Sequence, residues 1–272
     1  MKSALNFSEE LALQTGKLLS SYFQPEGIAA QVKQDRTVVT EADLAADRFL
    51  QAAILAEYPQ DQIMTEESDN AGIDPDSPLW VIDPLDGTTN FTLGLQTWGV
   101  SIARLVDGYP DTAALYFPLH GELYSAQRGA GAFFNQRPLT VRPLPANMPT
   151  AFFTACSTSL RTYDLNVRYK FRLLGSTAYD FCLIARGAAI GGFQSVPKIW
   201  DIAGGWLVLE EAGGVVQLFP EGSPFPYFAD QHAQEEKFTL LMAANPTVAE
   251  KVRPAIKPKQ SVAADSAFQS AG

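Results

Sequence analysis

Histidine and cysteine are scarce in this 272-residue chain, with two of each. His120 and His232 belong to no ligand-like cluster, and Cys156 and Cys182 sit in apolar surroundings without CxxC spacing. That argues against a zinc site, a disulfide scaffold and a histidine-based catalytic triad. Positive charge is also short. Twenty Lys and Arg against 30 Asp and Glu leave a formal charge of -10, which speaks against nucleic acid as the principal partner. An anionic substrate would need metal ions as intermediaries. No run of about 18 apolar residues occurs, so no membrane span is expected. The start, MKSALNFSEELALQTG, has no long apolar core behind a basic segment, unlike a secretory leader. The expectation is a cytoplasmic protein without a membrane partner.

What is present is enough apolar material for a substantial core: 46% of residues are hydrophobic and 11% aromatic. The spacing of Leu11, Thr15, Leu18 and Tyr22 predicts a helix over 8–23 with Ser8 as its N-cap. Thr40 opens a second helix that ends at Tyr58-Pro59. Strand-like runs follow at 80–82, 98–105, 112–117, 122–126 and 131–134, separated by turn residues such as Asp107-Gly108, so this region reads as an antiparallel meander. Beyond Pro143 and Pro145 the texture alternates: a strand near 151–154, a helix within 159–171, a strand ending at Leu174, and helices over 178–186 and 199–211. Gly213-Gly214 ends the last helix before a strand at 215–218. Both halves mix helix and sheet, which predicts a layered α/β or α+β sandwich. The boundaries expected are an N-terminal half over 1–145, a C-terminal half over 146–254 and a loose tail over 255–272.

Four acidic pieces carry the chemistry: TEAD at 40–43, TEES at 65–68, DPLDGTT at 83–89 and WD at 200–201. Each has a plain structural reading. Thr40 and Asp43 resemble a capping box, and Glu66 and Glu67 a solvated strand end. Asp83-Pro84 suits a turn, Asp86 a helix N-cap, and Asp201 the first turn of a helix whose dipole it complements. Their placement supports more. Asp83 and Asp86 bracket one tight turn behind the apolar strand Trp80 to Ile82, and Gly87 lets backbone approach a ligand closely. Carboxylates gathered there repel one another unless divalent cations lie between them. Hard oxygen donors without His or Cys select Mg²⁺, with Mn²⁺ as the alternative. Gly87-Thr88-Thr89 would offer N–H groups to a phosphate.

WVIDPLDGTTNF at 80–91 resembles the first signature of the inositol monophosphatase family, and KIWDIAGGWLVLEEAGG at 198–214 resembles its second. With TEES and VVTEAD in order upstream, the resemblance spans residues 5 to 254. It implies a layered αβαβα sandwich of the sugar-phosphatase type. It implies a Mg²⁺-dependent, lithium-sensitive phosphomonoesterase with two or three ions, acting as a homodimer on a small phosphorylated metabolite. It further implies that Glu66, Asp83 and the Leu85 carbonyl hold one ion and that Asp83, Asp86 and Asp201 hold a second, with Glu66 also reaching a third. Thr88 and Asp43 would position and help deprotonate the attacking water, and Gly87 and Thr88 would face the phosphate. Lys33 would lie in a mobile loop over the site. At the leaving-group end the resemblance places Gly175, Thr177 and Gln194, beside Asp86 and Asp201.

Two of these depart from the inositol-specific pattern, which has glutamate at the position of Gln194 and alanine at that of Thr177. Lys198 could favour an extra anionic group on the substrate or be a plain surface lysine. DPLDGTTNF, with Asn90, is nearer the inositol type than the forms of the nucleotidases or histidinol-phosphate enzymes. Inositol-1-phosphate therefore ranks first, ahead of other sugar, polyol or nucleotide phosphates. Those alternatives are fructose 1,6-bisphosphate, 3'-phosphoadenosine 5'-phosphate, histidinol phosphate and NADP. A protein-binding regulator of transcription machinery is the reading from another class.

Overall fold

The computed structural model describes residues 3–32, 38–68, 73–74, 77–142, 149–228 and 235–260. Helix α1 (Ala4–Tyr22) starts at Ser3, whose hydroxyl accepts from the Asn6 N–H. Ser8 is therefore not the cap; it lies inside the helix and donates to the Ala4 carbonyl. A short ribbon of β1 (Gln31–Val32) and β2 (Val38–Val39) leads to α2 (Glu41–Glu57). In α2, Ala42, Ala46, Leu50 and Ile54 recur every four residues on the buried face. Then comes the parallel pair β3 (Gln62–Thr65) and β4 (Leu79–Asp86). After the single turn α3 (Thr88–Thr92), the chain makes the expected meander: β5 (Gly99–Val106), β6 (Tyr109–Phe117), β7 (Glu122–Gln127), β8 (Gly131–Phe134) and β9 (Arg137–Leu139). These seven strands form one sheet in sequence order.

The second sheet draws on the rest of the chain. Strand β10 (Phe152–Ala155) is followed by α4 (Ser157–Thr162), β11 (Tyr163–Leu165) and β12 (Lys170–Arg172). Of the helix expected within 159–171, only the first residues are helical, in α4. From 163 to 172, Tyr163, Leu165, Val167, Tyr169 and Phe171 are half-buried while the residues between them are exposed, which is the period of a strand. Next are α5 (Thr177–Ala185), β13 (Gly191–Ser195), α6 (Ile199–Glu211), β14 (Val215–Leu218), β15 (Thr239–Ala243), α7 (Pro246–Val252) and β16 (Ile256–Pro258). The strand order is β12-β10-β13-β15-β14. Strand β16 pairs with β11 and buries Ile256, so ordered structure runs past residue 255, where the tail was expected to begin. Residues 261–272 lie outside the described residues.

Burial sorts these elements into layers. One core joins α1 and α2 to the first sheet through Leu11, Leu19, Leu50, Trp80, Ile82 and Ile102. A second fills the space between the two sheets, where α5 and α6 lie, with Val81, Leu115, Phe181, Trp206 and Leu240. A third packs α7 and the 163–171 segment on the far face of the smaller sheet. The result is helix, sheet, helix, sheet, helix, as expected. Helix α6 is apolar on nearly all sides, as a helix between two sheets must be. Strand β4 is buried along its whole length for the same reason, so its last residues bring carboxylates into the interior.

Candidate active site

The site forms where β4 stops being a regular strand. Asp83 pairs with Ser101 and Asp86 with Gly99, three steps on β4 against two on β5, so the ladder bulges at Pro84, which has no N–H to donate. The Asp83 carboxylate accepts from the Leu85 N–H at 3.0 Å, closing an Asx turn. Gly87 follows with φ 90°, and a Cβ there would come within 2.9 Å of the Thr97 carbonyl. Only glycine suits this position. Asp86 does not cap α3; the cap position is Gly87, and no side chain caps that helix.

Three other element ends bring their acids to the same place. Glu66 follows β3, and Asp201 lies in the first turn of α6, where its Oδ2 accepts from the Lys198 N–H at 2.7 Å. Carboxylate oxygens of Glu66, Asp83 and Asp201 all lie within 4.8 Å of one another. Asp86 sits beside them, held by the start of α5: Ser176 Oγ donates to its Oδ2, and the N–H groups of Thr177 and Ala178 reach its Oδ1 at 3.2 and 3.4 Å. At the start of α2, Asp43 is buried and has two tasks. Its Oδ2 accepts from the Thr40 N–H at 2.7 Å and from the Thr40 hydroxyl, completing the capping box. Its Oδ1 lies 3.0 Å from Thr88 Oγ1. Thr88 Oγ1 is also 3.0 Å from the Leu85 carbonyl, and its single proton serves one acceptor at a time.

The electrostatics follow from this crowding. Burial, and then the charges of Glu66, Asp86 and Asp201, hold the Asp83 carboxyl well above the usual carboxylate range. Burial raises Asp86 to about 6, against the lowering effect of Ser176 and the α5 N–H groups. Burial and Glu66 raise Asp201 to about 8. Carboxylates so placed ionise together only when a cation joins them. Every donor is oxygen, several are carboxylate, and neither imidazole nor thiol belongs to the group, so the residues fit a hard divalent cation such as Mg²⁺.

The leaving-group residues are arranged differently from one another. Gly175 has φ 74°, and a Cβ there would meet the Asn90 side chain at 2.9 Å. The Asn90 amide donates to both the Thr97 and Leu174 carbonyls at 2.7 Å, stapling the β4 turn to the segment before α5. Thr177 is half-buried beside Asp86. Lys198 packs over the Trp200 ring at 5.1 Å, and its charge works to lower Asp201. Gln194 is 2% exposed, and its amide donates to Asp180 Oδ2 at 2.5 Å. Lys33 lies outside the described residues. Three participants were missed in the sequence reading: Ser176, Asp180 and the stapling role of Asn90. Ser176 had a local signal, since its hydroxyl caps α5 by accepting from the Tyr179 N–H at 3.1 Å. Its contact with Asp86, ninety residues away, had none.

Comparison with known proteins shows the family to which the chain belongs. The model of the inositol monophosphatase family matches residues 1–257. The Nus factor SuhB of Escherichia coli K12 is 35% identical over 257 residues, covering 90% of this chain and 96% of that protein. A histidinol-phosphatase of Chlorobaculum parvum is 34% identical over 221 residues, covering 79% and 85%. Among solved structures, the extragenic suppressor protein suhB of Bartonella henselae superposes with a TM-score of 0.78 at 25% identity, covering 93% of this chain and 98% of that one. An IMPase of Thermotoga maritima gives 0.77 at 26% identity, with the same coverage. With the two signatures, the layered fold and the carboxylate cluster all in place, this chain belongs to the inositol monophosphatase family and is a phosphatase.

Proposed function

We propose that this protein hydrolyses a small phosphomonoester, with inositol-1-phosphate as the first-ranked substrate. The observation that carries the reading is the convergence of Glu66, Asp83 and Asp201 carboxylates within 4.8 Å, with Asp86 held beside them and the Thr88 hydroxyl 3.0 Å from Asp43. The family is generally Mg²⁺-dependent. Glu66, Asp83, Asp86, Asp201 and the Leu85 carbonyl would hold the ions, two or three in number. When bound, Mg²⁺ neutralises phosphoryl charge and makes water a better nucleophile.

The remaining work falls to the chain itself. Asp43 and Thr88 form a proton path: Thr88 Oγ1 takes a proton from the attacking water as its own passes to Asp43 Oδ1. The Asp43 carboxyl suits this task because burial raises it above the ordinary aspartate range. The N–H groups of Gly87 and Thr88 face the phosphate. Water adds to phosphorus in line, the P–O bond to the alcohol breaks, and the products are phosphate and the free alcohol. Thr177, Gly175 and the Asp86–Asp201 side of the cleft surround that alcohol.

A panel of inositol-1-phosphate, fructose 1,6-bisphosphate, 3'-phosphoadenosine 5'-phosphate, histidinol phosphate and NADP, each with Mg²⁺, tests the substrate. The expected result is the highest kcat/KM for inositol-1-phosphate. Turnover of histidinol phosphate alone would displace it while leaving the phosphatase reading intact. The similarity to proteins named Nus factors motivates a second reading, protein binding independent of turnover. In a strain lacking the protein, rescue by a catalytically dead variant would favour that role.

A further inference from the structure

The two ends of the carboxylate cluster are joined by a path of hydrogen bonds and backbone. Asp86 is gripped by Ser176, Thr177 and Ala178 at the start of α5. One turn further along the same helix, Asp180 is 2% exposed and accepts from the Gln194 amide on β13. Strand β13 ends at Ser195, and the chain continues to Lys198, whose N–H is bonded to Asp201. Elsewhere in this segment the backbone is pinned as well. Val196, at φ 78°, donates its N–H to the Phe238 carbonyl at 2.7 Å, and the Phe238 N–H returns a bond to the Pro197 carbonyl at 2.8 Å. A β-branched residue at positive φ persists only where its surroundings hold it. The segment from Gln194 to Asp201 therefore has little freedom to shift.

Gln194 stands where a residue contacting the leaving group was expected, yet its side chain is spent inside the protein on Asp180. Burial, and then the charge of Asp86, keep the Asp180 carboxyl well above the usual range. Resting on the proposed phosphatase reading, we infer that Gln194 is a positioning residue: with Asp180 it ties α5 to β13 and so sets the placement of Asp86 relative to Asp201. Its effect is on how well the carboxylates accept divalent metal, not on which alcohol leaves. Groups that orient metal ligands in this way typically change metal affinity by about 10- to 100-fold when removed.

The test compares Gln194→Leu, Gln194→Asn, Asp180→Ala and Asp180→Asn with the unaltered protein. Metal binding is read without turnover, from the rise in melting temperature on titration with Mg²⁺ or Mn²⁺, and kcat/KM is read with inositol-1-phosphate and with p-nitrophenyl phosphate. The expected result is that Asp180→Ala and Gln194→Leu need about tenfold more metal for half the thermal shift. Both variants then lose kcat/KM equally on the two substrates at a fixed, subsaturating Mg²⁺ concentration. Asp180→Asn, which can still accept the amide hydrogen bond, stays near the unaltered protein. Gln194→Asn keeps the polarity but is one methylene short, so it gives the same direction of change if the leucine variant fails to fold. Unchanged metal titration in Gln194→Asn and Asp180→Ala, with activity lost on inositol-1-phosphate alone, would overturn the inference and return Gln194 to the substrate. If the unaltered protein hydrolyses neither ester, the phosphatase reading fails, while the thermal titration still decides whether the tie governs the metal site.

Discussion

At the start of strand β4 a buried aspartate is matched by the protein's own cation; at its far end buried aspartates are left for something else to match. Asp61 Oδ2 takes the Trp80 indole N–H at 2.9 Å and Arg104 Nε at 2.7 Å. The guanidinium in turn lies over the Tyr58 and Trp80 rings. Arg104 sits opposite Trp80 on β5, so one rung of the ladder supplies both donors that Asp61 accepts. Six residues on, Asp86 receives only neutral donors from α5, and Asp83 has Glu66, Asp86 and Asp201 for its electrostatic neighbours. The two ends of the strand thus meet acids in different settings: Asp61, which lies just before β3 and pairs with Arg104, and the crowded carboxylates of Asp83 and Asp86. The first is satisfied internally by a cation, whereas among the described residues Asp86 is held by neutral donors alone.

The contrast can be broken from either end. The largest effect is expected from Asp83→Asn, which lowers kcat on the preferred phosphomonoester by on the order of 10³-fold or more. Its metal-free melting temperature should not fall, because one repelling charge has gone. Parent-level turnover in that variant would remove Asp83 from the chemistry. Next comes Arg104→Met, which strands Asp61 and should cost about 3 kcal/mol in denaturant unfolding. Here kcat per folded molecule stays unchanged; a parallel loss of both would mean that the two ends are not separate.

The smallest effect sharpens the comparison through pH. The raised carboxyls, Asp86 at about 6 and Asp201 at about 8, mean that the metal-free folded protein binds more protons than the unfolded chain above the ordinary aspartate range. Their contribution is present in full at low pH and is lost as pH rises through those values. Metal-free protein should therefore lose stability between pH 5 and 8.5, and saturating Mg²⁺ should flatten the curve. Equal stability of the metal-free protein across that range would show that the acids do not repel one another.

Much of this arrangement was readable because it is local. WVIDPLDGTTNF holds its strand, its bulge and its turn within twelve residues, and helix α6 follows the expected 199–211 span because its apolar run ends at Gly213-Gly214. The capping box at Thr40 and Asp43 is a three-residue relationship and formed as read. What escaped was of two kinds. The segment 163–172 has a plain period-two pattern, but its Arg and Lys residues also suit a helix, and α4 at its start is a real if short one. The other omission is tertiary. Nothing near Ser176 or Asp180 indicates that one will meet Asp86 and the other Gln194, since those contacts exist only once two sheets have closed over α5. The strand β15, which pairs with β13 and backs that helix, was likewise not foreseen.

The double employment of Asp43 carries a consequence for anyone altering this protein. Glutamate is the commoner partner in a capping box and would serve the start of α2 as well. A stabilisation campaign guided by helix statistics would accept that exchange without objection. Yet the longer arm would carry the carboxylate past Thr88, so a substitution neutral for folding would be expensive for turnover. A measurement of the helix alone would not reveal the difference; a comparison of kcat and melting temperature in Asp43→Glu would.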